Sequence, residues 1–219
     1  MKRLLVSLVA ALAALGLAQG SPEIRFIHLV EGVGSVDVWV DGHKSFAMEG
    51  YKNFTQYVPA PKGNLRVWVT PTGKTTPRLG LATVDLRNGY KYTLAALGTP
   101  QKVVTRLFLD SGEGLKAPSG VRIRAVLASP DAPQLSLYAV DAKAKTTTLV
   151  ADYMRFGQAT RYVSIPSGEY GLIVRPTGNK TVLLRVPLTS LKAGSVYSVY
   201  ITGRVKNKTL EALLTLDNR

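Results

Sequence analysis

The sequence predicts an all-β protein: two tandem immunoglobulin-like (fibronectin III-like) antiparallel β-sandwiches after a cleaved signal peptide. Three observations carry this reading. Short Val-, Ile-, Leu- and Tyr-rich runs are punctuated closely by Gly, Pro, Asn and Asp, and no long stretch holds a helical period. The segment from Ile24 to about Asp110 recurs from Ile123 to about Asp217, so that Tyr57-Val58, Pro61, Gly63 and Pro71-Thr72-Gly73 answer to Tyr162-Val163, Pro166, Gly168 and Pro176-Thr177-Gly178. Each copy is close to the ~100 residues that such a sandwich needs to bury a small core.

Residues 1–20 read as a signal peptide and not as part of the fold. Lys2-Arg3 start it, Leu4 to Leu17 is apolar, and small residues follow at Gly16, Ala18 and Gly20, so cleavage fits after Ala18 or Gly20. The apolar run is too short to span a bilayer comfortably and no comparable run follows, which predicts export to the periplasm, cell surface or medium without a transmembrane anchor. Repeat 1 then occupies 21–110. Its strands are expected near Ile24 to Leu29, Val36 to Val40, Ser45 to Met48, Phe54 to Pro59, Leu65 to Thr70, Leu79 to Asp85, Tyr90 to Leu97 and Thr105 to Leu109. Asp41-Gly42 marks a tight hairpin, because both residue types tolerate positive φ. Leu86-x-x-Gly89-x-x-Tyr92 precedes a late strand, where sandwiches carry a tyrosine corner, and Leu191-x-x-Gly194-x-x-Tyr197 repeats it. Residues 111–120 have linker composition, and 121–219 repeat the strand order from Arg122 to Leu127 through Leu210 to Leu216.

The chain has no Cys, so an exported protein of this kind relies on apolar burial and backbone pairing instead of disulfides. It carries a formal net charge of +14, unevenly spread: Ser21 to Leu115 holds +3 and Lys116 to Arg219 holds +9. A field of that sign steers anionic polymers or surfaces toward the chain, or simply keeps it soluble.

Arg25-Phe26-Ile27-His28 followed by Val36-Asp37-Val38-Trp39-Val40-Asp41-Gly42 resembles the opening of the domain of unknown function 4397 family, and Ser129-Pro130-Asp131-Ala132-Pro133 resembles the family's other half. Tyr57-Val58-Pro59, Gly63 and Gly89-x-x-Tyr92, with their counterparts, extend the resemblance over the whole mature chain. The copies depart from it in complementary ways: Glu31-Gly32-Val33-Gly34 stands in place of Ser-Pro-Asp-Ala-Pro in the first, and Leu127 in place of His in the second. The resemblance implies exported bacterial β-sandwich domains, often in tandem, with no established activity.

The repeat is also an internal control for chemistry. His28 sits where the second copy has Leu127, which marks it as a packed imidazole with a structural role; Tyr92 and Tyr197 are structural too. Asp37 falls on the opposite strand parity and is expected to face outward, which argues against a His28-Asp37 dyad. Asp41 and His43 at one turn fall short of a metal set, so no metal and no cofactor is expected, and no Gly-rich phosphate loop is present. No catalytic residue is assigned. The chain reads as a non-catalytic binding or structural module of the cell envelope, serving adhesion or assembly, and not as an enzyme. A hydrolase with a cryptic site near His28 is the third reading, after an anionic-polymer binder.

Binding candidates lie on the surface. Val36, Val38 and Val40 inward send Trp39 outward, and Leu65, Val67 and Val69 inward send Arg66 and Trp68 outward, making a stacking platform, unless the rings pack under a loop or against the neighbouring domain. In repeat 2 the basic candidates are Arg122, Arg124 and Arg175, with Arg155, Arg161 and Arg185; Arg122 and Arg124 share parity and so form a stripe. The partners these suggest are an envelope protein or an anionic glycan, with self-association through edge strands as a further route, and no specific nucleic acid, since aromatics are not interleaved with the stripe.

Overall fold

A computed structural model describes residues 20–111 and 119–218, and these form sixteen strands and no helix. The expected signal peptide, apart from Gly20, and linker residues 112–118 lie outside the described residues. In repeat 1 the strands are β1 (Glu23–His28), β2 (Val36–Val40), β3 (His43–Glu49), β4 (Val58–Pro59), β5 (Gly63–Pro71), β6 (Leu79–Leu86), β7 (Lys91–Thr99) and β8 (Lys102–Ser111). Repeat 2 follows the same order with β9 (Val121–Leu127), β10 (Leu135–Asp141), β11 (Thr147–Met154), β12 (Val163–Ile165), β13 (Gly168–Pro176), β14 (Leu184–Leu191), β15 (Val196–Thr202) and β16 (Glu211–Leu216).

Each repeat is a sandwich of two four-stranded sheets: β4-β1-β7-β8 over β3-β2-β5-β6, and β12-β9-β15-β16 over β11-β10-β13-β14. Pairing is antiparallel except that β1 runs parallel to β7 and β9 to β15. Parallel neighbours need a long crossover, and here strands β2 to β6, or β10 to β14, supply it. The Asp41-Gly42 turn joins β2 to β3 with Val40 opposite His43, both turn residues at positive φ (49° and 87°) as a two-residue hairpin requires.

One strand is shorter than its alternation suggests. β4 begins at Val58 and not at Phe54, because the Thr55 hydroxyl takes the Phe26 N–H at 2.9 Å, substituting a side-chain oxygen for a ladder bond. Thr160 does the same to Ala125 at 3.1 Å in repeat 2.

Both tyrosine corners are present. The buried Tyr92 and Tyr197 rings bring their hydroxyl oxygens to the Arg87 and Lys192 N–H groups, at 3.2 Å and 3.4 Å. Gly89 and Gly194, at φ 77° and 75°, make the bend that lets the chain turn back over each ring.

The two inner sheets pack against each other, giving four layers. The outer-sheet strand β6 alternates toward its C-terminal end, whereas β7 is buried at every position from Tyr92 to Gly98 and β15 is buried throughout. Near-continuous apolar runs such as Tyr92-Thr93-Leu94-Ala95-Ala96-Leu97 belong to strands covered on both faces. Accordingly the described residues form three clusters: one core in each sandwich, around Phe26, Val38 and Leu94, and around Ile123, Leu137 and Val199, and a third between them around Ile27, Leu29, Leu97, Phe108, Val126 and Tyr200.

Candidate functional site at the joint between the repeats

The third cluster is apolar along one side and charged along the other. Four ionisable side chains, Arg25, Asp110, Arg124 and Asp217, meet there with at most 3% of each residue exposed. Arg25 on β1 gives Nη2 to Asp217 Oδ1 at 2.5 Å, Nη1 to the Leu216 carbonyl at 2.8 Å and Nε to Thr93 Oγ1 at 2.8 Å. Arg124 on β9 mirrors it: Nη2 to Asp110 Oδ1 at 2.5 Å, Nη1 to the Leu109 carbonyl at 2.6 Å and Nε to Ser198 Oγ at 2.7 Å. Thr93 and Tyr57 donate to Asp110 at 2.6 Å and 2.8 Å, and Ser198 and Tyr162 donate to Asp217 at 2.6 Å and 2.8 Å. Each guanidinium also lies over a tyrosine ring, Arg25 4.7 Å from the Tyr57 centroid and Arg124 4.6 Å from that of Tyr162. The two sets are related as by a two-fold axis, the arrangement of an isologous interface built within one chain.

Electrostatics explain why this cluster tolerates burial. Two cations face two anions, and the carboxylates accept from hydroxyls as well as guanidiniums, so desolvation is offset by charge-assisted bonds. Burial and the Asp217 carboxylate push Asp110 up to about 6, against the pull of Arg124 and Arg25. Burial and the charge of Asp110 push the Tyr57 phenol up, and burial with Asp217 does the same to Tyr162 against the opposing Arg124; both remain protonated donors. One member has no counterpart: the Tyr200 ring is fully buried with its hydroxyl unbonded among the described residues, where repeat 1 has Ala95.

Of the binding candidates singled out from sequence, Arg124 alone enters this joint. Arg124 is not on a surface stripe: its head group is consumed in the joint, because β9 is covered on both faces. Arg122 is half-buried near the sheet edge, opposite Ser164. Trp39 and Trp68 do share the outward face of β2 and β5, directly opposite each other, with rings 6.3 Å apart and 4° from parallel. They are not an open platform. Lys44 covers Trp39 at 5.5 Å and Arg78 covers Trp68 at 4.6 Å, so each ring has both faces filled, and Trp68 is only 4% exposed. Nor do they pack at the domain joint, which lies across the other sheet. Arg66 is exposed beside them, and the half-buried Arg175 lies 5.4 Å from the Tyr138 ring centroid on the matching face of repeat 2.

His28 is fully buried; the Val30 N–H approaches Nδ1 at 3.3 Å and Nε2 faces the Gly34 carbonyl at 3.1 Å, which fixes the neutral Nε2–H tautomer. Burial outweighs the bonds to Gly34 and Val33 and holds it below its ordinary range. Asp37 faces outward yet is buried beneath its own loops, accepting from the Met48 and Gly73 N–H groups at 3.1 Å each and from Lys44 at 2.7 Å. Burial pushes its carboxyl up, but Lys44 and those two N–H groups hold it below the usual range. Asp41 and His43 are exposed, and no group of three or more potential metal-ligating His, Asp or Glu occurs among the described residues.

Sequence reasoning passed over Arg25, Asp110, Asp217, Tyr57, Tyr162, Thr93 and Ser198 as a set. Their signal was present: polar residues kept at matching positions of both copies, beside or within apolar strands.

The family model described as a domain of unknown function (DUF4397) matches residues 22–138 and 121–219, two copies that between them cover the chain beyond its first residues. No curated protein matches the chain.

Proposed function

The chain belongs to the domain of unknown function DUF4397 family as a tandem pair, and from that premise we propose that it is a non-catalytic exported module of the bacterial cell envelope, a two-sandwich spacer or adhesion unit that works by binding. The observation that carries this reading is the joint. Apart from the Tyr200 hydroxyl, its charged, hydroxyl and phenol groups are spent on one another, which makes two sandwiches into one stiff body with two outer sheets free to present. No helix among the described residues is long and apolar enough to cross a membrane, and the basic, apolar, small-residue order of residues 1–20 supports export. The experiment is cross-linking in intact cells followed by envelope fractionation. The proposal expects a reproducible protein or glycan partner in that fraction; free protein in the medium with no adduct contradicts it.

A second reading, binding to an anionic polymer, is favoured by the cations of repeat 2. Arg155, Arg161 and Arg185 are exposed, as are Lys143, Lys145, Lys180, Lys192, Lys206 and Lys208. It expects salt-sensitive retention on an acidic polysaccharide that falls on Arg155→Ala with Arg161→Ala and Arg185→Ala; unchanged retention removes it.

A further inference from the structure

The symmetric heart of the joint offers the same bonds from either repeat, yet the contacts around it join residues that the two repeats do not share. We propose that the joint is a recognition interface selective for the unlike repeat, holding repeat 1 to repeat 2 by its own chemistry and not by the tether. Three contacts carry this. Lys52 of repeat 1 pairs with Glu211 of repeat 2 at 3.1 Å; the matching positions are Gly157 and Val104, so neither like pairing contains the ion pair. Glu31 pairs with Arg204 at 3.5 Å, and here the matching positions are Pro130 and Thr99. At the centre the fully buried Tyr200 packs against Phe108, ring centroids 6.4 Å apart, where the counterparts are Ala95 and Thr215.

The central exchange is one of volume. The unlike joint holds one Tyr, one Phe, one Ala and one Thr. Two copies of repeat 1 would place two Ala and two Phe there and leave space where Tyr200 stands. Two copies of repeat 2 would crowd two phenols, with hydroxyls already short of partners, beside two Thr. Like pairs also lose the rim charges: two repeats 1 would bring Lys52 toward Val104 and Arg106, and two repeats 2 would leave Glu211 facing Gly157. The heart thus supplies affinity, while rim and centre supply choice. The proposal is independent of what the outer sheets bind.

The test uses the full chain with a protease site inserted between Gly114 and Leu115, purified and then cut. The proposal expects the halves to remain a 1:1 complex at micromolar concentration by native mass spectrometry and gel filtration, with like dimers absent. Separation of the halves, or like dimers of comparable abundance, overturns it. Should cut halves aggregate, the uncut chain gives an independent reading by a double-mutant cycle. Lys52→Glu and Glu211→Lys each lower the urea midpoint, and the double variant recovers most of the loss; a double variant showing the sum of both losses overturns the assigned selectivity.

Discussion

At the joint, Arg25 and Arg124 stand at matching positions and make matching bonds, whereas on the outer sheets the matching positions hold Trp39 and Trp68 in repeat 1 but Tyr138 and Ile173 in repeat 2. The difference separates two kinds of constraint. A residue buried with a charged partner cannot be changed alone, because its loss strands an uncompensated charge in low dielectric. An outer-sheet residue covered by its own long side chains can drift, since Lys44, Arg78 or Arg175 adjusts to whatever ring lies below. Positions common to both repeats therefore report what holds the molecule together, and positions that differ report where the repeats are free to acquire separate contacts.

The comparison breaks most visibly if the two arginines are not equivalent. Arg25→Ala and Arg124→Ala should each cost about 3–5 kcal/mol in urea denaturation and agree within about 1 kcal/mol. A large loss in one and a small loss in the other would contradict the two-fold relation. The corner tyrosines extend the comparison at smaller scale, with Tyr92→Phe and Tyr197→Phe each losing about 1 kcal/mol.

Tyr200 tests the asymmetry instead. Its buried hydroxyl has no hydrogen-bond partner among the described residues, so Tyr200→Phe should raise stability by about 1 kcal/mol where the corner substitutions lower it. A loss would mean the hydroxyl has a partner in solution.

The smallest expected effect is confined to acid. His28 is held neutral by burial, its folded pKa below the ordinary value of about 6.5. The stability tied to the neutral imidazole is therefore complete above about pH 6.5 and is lost as pH falls through the window below it. His28→Leu, which copies Leu127, should remove that slope, so the stability difference between variant and parent grows in the variant's favour from pH 7 to pH 5. Parallel curves would show that His28 does not titrate in that window.

Much of the fold is legible in the sequence because it follows from local rules. Alternation and turn residues place the strands of repeat 1 except for the shortened β4, Asp41-Gly42 marks the hairpin, and Gly89-x-x-Tyr92 marks the corner. The parallel pairing of β1 with β7 is not legible, since it depends on which strands become neighbours after a long crossover. The site is legible only in part. Strand parity sends Trp39 and Trp68 outward together, but parity says nothing of Lys44 on a neighbouring strand or Arg78 from a loop closing over the rings. Arg124 is the sharper case: parity correctly separates it from the core of its own sandwich, yet the face it points to is covered by the other repeat, so an outward residue becomes a buried one. The repeated pairs Arg25 with Arg124 and Asp110 with Asp217 contain that information, as polar residues that both copies keep.

The central claim is that the joint fixes the two sandwiches as one body. The chain has no Cys, so spin labels can be placed singly on the exposed outer-sheet positions Ser45 and Thr147 without removing native thiols. Pulsed electron-resonance distances between them should give one narrow distribution that persists in 1 M salt, because a buried pair is little screened, and that broadens with Arg25→Ala and Arg124→Ala combined. A broad or two-peaked distribution in the parent chain would contradict the account.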